Sequence, residues 1–168
     1  MVMKKMLMMA VMSAMLMGAK AQTLKEFEER FSSSENAEVV NLDKDQLKTA
    51  MEAAGMTGDT EQLSILMSLE SVKVIDMETC SDEDRKAFCE AAANLSDDSL
   101  PLLLESKEDG ENVKIFGVIE SGHCKDLVVV SADLKEPAFV RITGDLDMEK
   151  LNNTKNFNLV NINGVKFP

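Results

Sequence analysis

The spacing of apolar residues divides the chain into a helical first half and a strand-rich second half. Leu24, Phe27 and Phe31 recur at i, i+3 and i+7, which predicts a short amphipathic helix. Thr23 and Glu26 have the T-x-x-E spacing of a capping box, which begins a helix. Similar patterns predict four further helices: after Asp43 up to Gly55, after Gly58-Asp59 with Leu63 and Leu66, after Ser81 with Phe88 and Leu95, and over Met148–Leu151.

The rest of the pattern has the period of two that is typical of strands. Two early strands are predicted at Ala37–Leu42 and Val72–Met77. Asp109-Gly110 is a strong hairpin signal, since both central turn positions require positive φ. Short links of this kind join antiparallel strands, because a parallel crossover needs a dozen or more residues. The predicted meander consists of Leu100–Ser106, Asn112–Ser121, Lys125–Ala132 and Ala138–Thr143, with Gly144-Asp145 ending the last strand.

These elements predict an α+β fold in which helices pack on one face of an antiparallel β-sheet that is mostly a C-terminal meander. Leu127–Val130 is apolar at consecutive positions, so its strand is expected at the centre of the sheet or beneath a helix. The Asn-rich tail, with Leu159 and Ile162, is expected to add an edge strand. Residues 22–168 contain no repeat and no long linker, so we expect a single α+β domain.

The first 21 residues have the form of a cleaved secretory signal. Lys4 and Lys5 precede the uncharged run Met6–Met17, and Ala19 and Ala21 stand at the two small-residue positions of an A-x-A cleavage site. This apolar run is shorter than the roughly 20 residues that span a bilayer. We therefore expect residues 1–21 to be removed after Ala21, and the product to be periplasmic or secreted, without a stable membrane span.

The charge balance excludes some classes of partner. The chain has 18 Lys+Arg against 30 Asp+Glu, a net charge of −12. Removing Lys4, Lys5 and Lys20 leaves 15 against 30, or −15. Such an acidic protein is a poor match for nucleic acid or anionic lipid. The lack of Trp and Tyr also argues against sugar-binding clefts, which use aromatic platforms.

The order of parts resembles a known family. After the export signal come a Phe-containing helix and a short strand, a helical stretch, the strand at Ser71–Ile75, and a meander through Val113–Phe116, Lys125–Val130 and Phe139–Asp147. This order is similar to domain of unknown function 4252, a family of small exported bacterial envelope proteins, over roughly Leu24 to Leu151. The resemblance implies an α+β fold and an envelope location, and it implies no catalytic residues. Many members carry a Cys directly after the signal, as lipoproteins do, but the first Cys here is Cys80, so we expect no lipid anchor.

His123 and the three cysteines are the residues with most chemical potential. Cys80 and Cys89 are nine residues apart, which matches no compact zinc-ligand pair. His123 and Cys124 are adjacent, so on a strand they point to opposite faces. One disulfide among Cys80, Cys89 and Cys124 and three buried thiols remain alternative interpretations. We therefore expect no catalytic, cofactor-binding or metal-ligating residues, and no cofactor.

The acidic clusters are expected to serve capping, turns and solubility. They lie at a helix start, a helix end and a hairpin tip: Asp82-Glu83-Asp84, Asp97-Asp98 and Glu108-Asp109-Glu111. The alternating acids at Asp43 and Asp45, and at Asp145 and Asp147, lack the length of a calcium-binding EF-hand loop. No glycine-rich phosphate loop is present in the sequence.

These observations favour an exported, non-catalytic envelope or periplasmic protein of unknown specific role. We expect it to bind a protein or a small ligand through a sheet edge or an open sheet face, around Lys114, Phe116 and Val118. One alternative is a hydrolytic or thiol-dependent enzyme. Another is an envelope stress or regulatory component.

Overall fold

The computed structural model describes residues 21–55, 61–108 and 110–153. Within these residues, helices and strands alternate through the first half and strands dominate the second. The helices are α1 (Leu24–Ser32), α2 (Lys44–Ala53), α3 (Glu61–Ser68), α4 (Asp82–Ala93) and α5 (Met148–Asn153). The strands are β1 (Glu38–Asp43), β2 (Leu69–Asp76), β3 (Leu102–Glu108), β4 (Glu111–Glu120), β5 (His123–Ser131) and β6 (Ala138–Asp147).

The described strands form one antiparallel sheet in the order β1-β2-β6-β5-β4-β3. Strands β3 to β6 are a meander, and the β1–β2 pair joins the sheet beside β6. The expected α+β class, the antiparallel sheet and its C-terminal meander are therefore confirmed. Strand β5 lies at the centre of the sheet, as its apolar run Leu127–Val130 predicts.

The helices pack on both faces of the sheet, which differs from the expected packing on one face. Helices α1 and α4 cover the face that carries Val128 and Val130. Helices α3 and α5 cover the opposite face, which carries Leu127 and Val129. Since successive side chains on a strand point to opposite faces, an apolar run in β5 puts apolar surface on both, and each face needs its own cover.

The helix starts have the caps that the sequence predicts. At α1, the Thr23 hydroxyl accepts a hydrogen bond from the Glu26 amide, and the Glu26 carboxylate accepts one from the Thr23 amide. Asp43 caps α2 in the same way, and the Ser81 hydroxyl accepts a hydrogen bond from the Asp84 amide at the start of α4. These bonds satisfy amides that have no partner within the helix.

An aromatic cluster fixes α1 and α4 on the sheet. The ring centroids of Phe27 and Phe31 are 4.6 Å apart, and Phe88 of α4 lies 4.7 Å from Phe27 and 4.8 Å from Phe31. Phe139 of β6 lies below them, 6.0 Å from Phe27. All four rings are buried, so this cluster sets the position of α1 relative to β6.

The expected binding surface around Lys114 and Phe116 is wrong, because both residues are buried beneath the helices. Phe116 belongs to the aromatic-side core, and Lys114 is only 6% exposed. The Lys114 ammonium donates to the Ala93 carbonyl at 2.8 Å, at the last residue of α4. Burial lowers the pKa of Lys114. Of the three expected residues, only Val118 is exposed.

Strand β6 does not end at Gly144-Asp145 as expected, but continues to Asp147. Gly144 has φ +150°, and a Cβ at this position would lie 2.4 Å from the Ser68 carbonyl oxygen and 2.8 Å from Leu69 Cα. The backbone at the α3–β2 junction therefore approaches β6 at this glycine. A glycine here marks a close approach within the strand and not its end.

Four features predicted from the sequence lie outside the described residues: the export signal up to Lys20, the helix start at Gly58-Asp59, Asp109 of the hairpin turn and the tail strand beyond Asn153. Among the helices that the structure describes, none combines the length and the apolar character needed to cross a membrane.

We predict that Gly144→Ala lowers the free energy of unfolding by about 3 kcal/mol or more, because the new methyl group meets backbone atoms that cannot turn away. Gly122→Ala is the matched control. Gly122 has φ +83°, and a methyl group added there would have no atom within 4 Å apart from its own residue and the two neighbours in the chain, so this substitution should cost only about 1 kcal/mol of conformational strain. Urea denaturation of both variants measures the difference. Equal losses would contradict a steric role for Gly144.

Candidate functional site

The sheet face beneath α1 changes from apolar to charged along three adjacent strands. Residues two apart on a strand share a face, and here each apolar side chain has a charged one beside it on the same face. The pairs are Ile75 and Lys73 on β2, Phe139 and Arg141 on β6, and Val128 and Asp126 on β5. The apolar half of this face contacts the aromatic cluster. The charged half contains the polar side chains described next.

Four charged side chains form one network in this half. The Arg141 guanidinium donates to both carboxylate oxygens of Asp126, at 3.0 and 2.6 Å. It also donates to Glu28 of α1 at 3.1 Å, and Glu28 accepts from Lys73 at 2.7 Å. The hydrogen bonds to Asp126 raise the pKa of Arg141. Two positive and two negative charges compensate one another, so the network can stay half-buried on the sheet.

Beside this network lies an open groove of about 820 Å³, here called the Arg141 groove. It gathers side chains from the start of α1, the segment after α4, strand β4 with its turn, strand β5 and strand β6. Its lining residues are Leu24, Lys25, Asp97, Ser99, Leu100, Val118, Glu120, Ser121, His123, Lys125, Asp126 and Arg141. A second groove of about 460 Å³, here called the Lys73 groove, lies on the other side of Arg141 and is lined by Glu28, Lys73 and Arg141 among others.

The Asp97 carboxylate stabilises one wall of the Arg141 groove through hydrogen bonds. Its carboxylate accepts hydrogen bonds from the backbone amides of Leu24, Ser99 and Leu100, at 3.2, 2.9 and 3.2 Å, and also from the Ser99 hydroxyl. The bond from the Ser99 hydroxyl is the main cause of the lowered pKa of Asp97. Asp97 thus ties the start of α1 to the segment that follows α4, which gives this acidic residue a structural role.

The remaining charged residues of the groove form fewer or weaker ion pairs. Lys125 and Glu120 are exposed and form no ion pair within the part of the chain that the structure describes. Lys25 is 81% exposed and lies 3.8 Å from Glu29 one helical turn away, a type of pair that contributes less than about 0.5 kcal/mol. His123 Nδ1 lies 3.0 Å from Asp145 Oδ1 at the groove's edge.

The sheet separates the three thiols. Cys80 and Cys89 lie with the core under α1 and α4, and Cys124 lies in the core of the opposite face. All three are free, and burial raises the pKa of each thiol. His123 is exposed whereas the neighbouring Cys124 is buried, so these two side chains do not form a catalytic pair.

The other acidic clusters predicted from the sequence do not come together in one site. Among the residues described, no group of three or more His, Cys, Asp or Glu side chains is placed to hold a metal ion. Asp82, Glu83 and Asp84 lie in the first turn of α4, where carboxylates stabilise a helix dipole.

Sequence reasoning missed the residues of the charge network. The signal for Arg141 is its place in the otherwise apolar segment Phe139–Ile142, and the signal for Asp126 is its position before the apolar run of β5. Glu28 follows Leu24 by four residues and therefore lies on the core-facing side of α1. Charged residues at core-facing positions of three elements indicate a shared polar site.

We predict that Arg141→Gln lowers the free energy of unfolding by about 2 kcal/mol, between the values for exposed and fully buried ion pairs. The reason is that Asp126 loses its only ion-pair partner among the described residues and Glu28 keeps only Lys73. Lys25→Gln is the control, with an expected change below about 0.5 kcal/mol, since its pair is exposed. Chemical denaturation at low salt compares the two, and similar small losses would show that the network adds no stability.

Comparison with known proteins gives one match. Residues 27–154 match the family model described as Domain of unknown function (DUF4252). No curated protein matches the chain, and no solved structure does. The match covers most of the chain, including the aromatic cluster, the charge network and all six strands of the sheet, and it confirms the resemblance seen in the sequence. This chain therefore belongs to the DUF4252 family.

Proposed function

We propose that this protein is an exported, non-catalytic protein that binds a small ligand in the Arg141 groove. The observation that carries the proposal is the convergence in one concave site of polar side chains from distant parts of the chain, beside exposed apolar surface. Ligand sites combine a concave, partly apolar lining with a few placed polar groups. The groove has both, with Val118 as its exposed apolar member.

The state of the candidate catalytic groups supports a binding role over an enzymatic one. Of the three carboxylates that line the groove, Asp97 is engaged by backbone amides and Asp126 by Arg141. Only Glu120 remains, whereas glycoside hydrolysis by the usual route needs two working carboxylates. The thiols have raised pKa values, which disfavours the nucleophilic thiolate.

The proposed location rests on the first 21 residues. Their basic start, uncharged run and A-x-A site are the pattern of a cleaved signal. Gln22 and Leu95 form the first backbone bridge of the described chain, so cleavage after Ala21 would leave the fold intact. We infer that the exported form begins at Gln22.

We predict that a Gram-negative host expressing the full chain releases a periplasmic product whose first residue is Gln22. Ala21→Glu should block processing, because a charged side chain replaces a small residue at the cleavage site. Lys20→Ala changes the intervening position and should leave processing unaffected. Intact-mass measurement of each product gives the answer, and a wild-type product that retains Met1 would overturn the export proposal.

We predict that ligands found in an NMR screen of small organic molecules shift the amide signals of Val118 and Lys125 in the purified protein. Val118→Asp should weaken those ligands at least about tenfold, because it adds a charge and removes apolar contact. Leu134→Asp is the matched control, since Leu134 is also an exposed aliphatic residue, at 58%, and lies outside both grooves. A screen in which all ligands bind elsewhere, or none binds, would refute the groove as the binding site.

A further inference from the structure

The groups with spare hydrogen-bonding capacity in the Arg141 groove are mainly donors. Of its three carboxylates, Asp97 is engaged by backbone amides and Asp126 by Arg141, and Glu120 is exposed. The ammonium groups of Lys25 and Lys125 are exposed at the groove. A ligand that enters the groove therefore meets two exposed ammonium groups and one exposed carboxylate.

Arg141 adds further donors at the floor. A guanidinium has five N–H donors. Asp126 uses two of them and Glu28 uses one, and no other acceptor among the described residues bonds to the group. Two N–H donors are left, and the side chain, which is 34% exposed, lines both the Arg141 groove and the Lys73 groove. Because Asp126 fixes the plane of the guanidinium, these donors have a defined direction.

Another part of the lining is apolar. Leu24 and Leu100 are buried residues at the edge of the core, and Val118 is 41% exposed within the groove. Val118 lies on β4 two residues after Phe116, where the helices no longer cover the strand. An apolar body placed here would remove the Val118 side chain from water.

We propose that the Arg141 groove binds an organic carboxylate with an apolar body, its carboxylate against Arg141 and Lys125 and its body against Val118. This inference rests on the proposed function and names the ligand class for the same site. A carboxylate fits the planar donors of Arg141. It also carries one negative charge, compared with nearly two on a phosphate monoester, and so meets less repulsion from an exported chain with 15 Lys+Arg against 30 Asp+Glu, a net charge of −15.

Three probes separate the two halves of the ligand: octanoate has both, octanol has the body without the charge, and acetate has the charge without the body. Each is titrated into the ¹⁵N-labelled purified protein, with the amide signals of Val118 and Lys125 as the readout. We expect octanoate to bind about fivefold more tightly than octanol, equivalent to about 1 kcal/mol for an exposed ion pair. We expect it to bind at least about tenfold more tightly than acetate, since several CH₂ groups are buried.

Lys125→Gln should weaken octanoate by about twofold, because Arg141 still contacts the carboxylate, and should leave octanol unchanged. Lys86→Gln is the matched control, because Lys86 is an exposed lysine of α4 at 71% and lines neither groove. Salt gives a second readout that does not depend on any variant. Raising the salt concentration should weaken octanoate but not octanol, because screening acts only on the charged probe.

Octanol binding as tightly as octanoate, or an unchanged octanoate affinity in Lys125→Gln, would overturn the carboxylate assignment. The groove would then remain a binding site of another ligand class, provided that the screen described above finds ligands there that Val118→Asp weakens. Failure of all three probes to shift the groove signals would also overturn the assignment. The proposed function itself fails only if the wider screen finds no ligand in the groove.

Discussion

The packing of α1 against the sheet is the constraint on which the rest of the structure depends. Phe27 packs against Phe88 and Phe139, and burial of one such ring contributes about 2–3 kcal/mol. The next residue, Glu28, pairs with Lys73 and Arg141. One helical turn therefore joins the aromatic core to the charge network. The same packing places Leu24 and Lys25 in the wall of the Arg141 groove.

The two halves of this sheet face have different physical roles. The apolar half gains stability from burial, as any core does. The charged half gains less, because the desolvation of half-buried ions offsets much of their attraction. The network instead fixes the orientation of its side chains, since two hydrogen bonds to Asp126 orient the Arg141 guanidinium. A half-covered polar face of this kind is suited to recognition, and the opposite face, covered by α3 and α5, is suited to stability.

Much of the fold could be predicted from the sequence because its signals are local. The caps at Thr23, Asp43 and Ser81 satisfy amides within one turn of the chain, and the alternation in β4 to β6 is a property of each strand alone. Gly144 misled the prediction because glycine signals both strand ends and close backbone contacts. Only the approach of the Ser68 carbonyl distinguishes these two. The candidate site was much harder to predict, since Glu28 and Arg141 are separated by 113 positions. Arg141 is a lone charge among apolar neighbours, but Glu28 stands beside Glu29 and Arg30 and is not distinguished by its sequence context.

The sequence by itself determined the kinds of elements, their order and the antiparallel meander, because propensity and periodicity act over a few neighbouring residues. The tertiary structure alone decided that helices cover both faces and that the four charges of the network meet. It also decided that the thiols are separated by the sheet, and that Lys114 is buried where its ammonium group donates a hydrogen bond to the Ala93 carbonyl. These outcomes depend on strand order and on helix placement, which result from packing between residues that are distant in the chain.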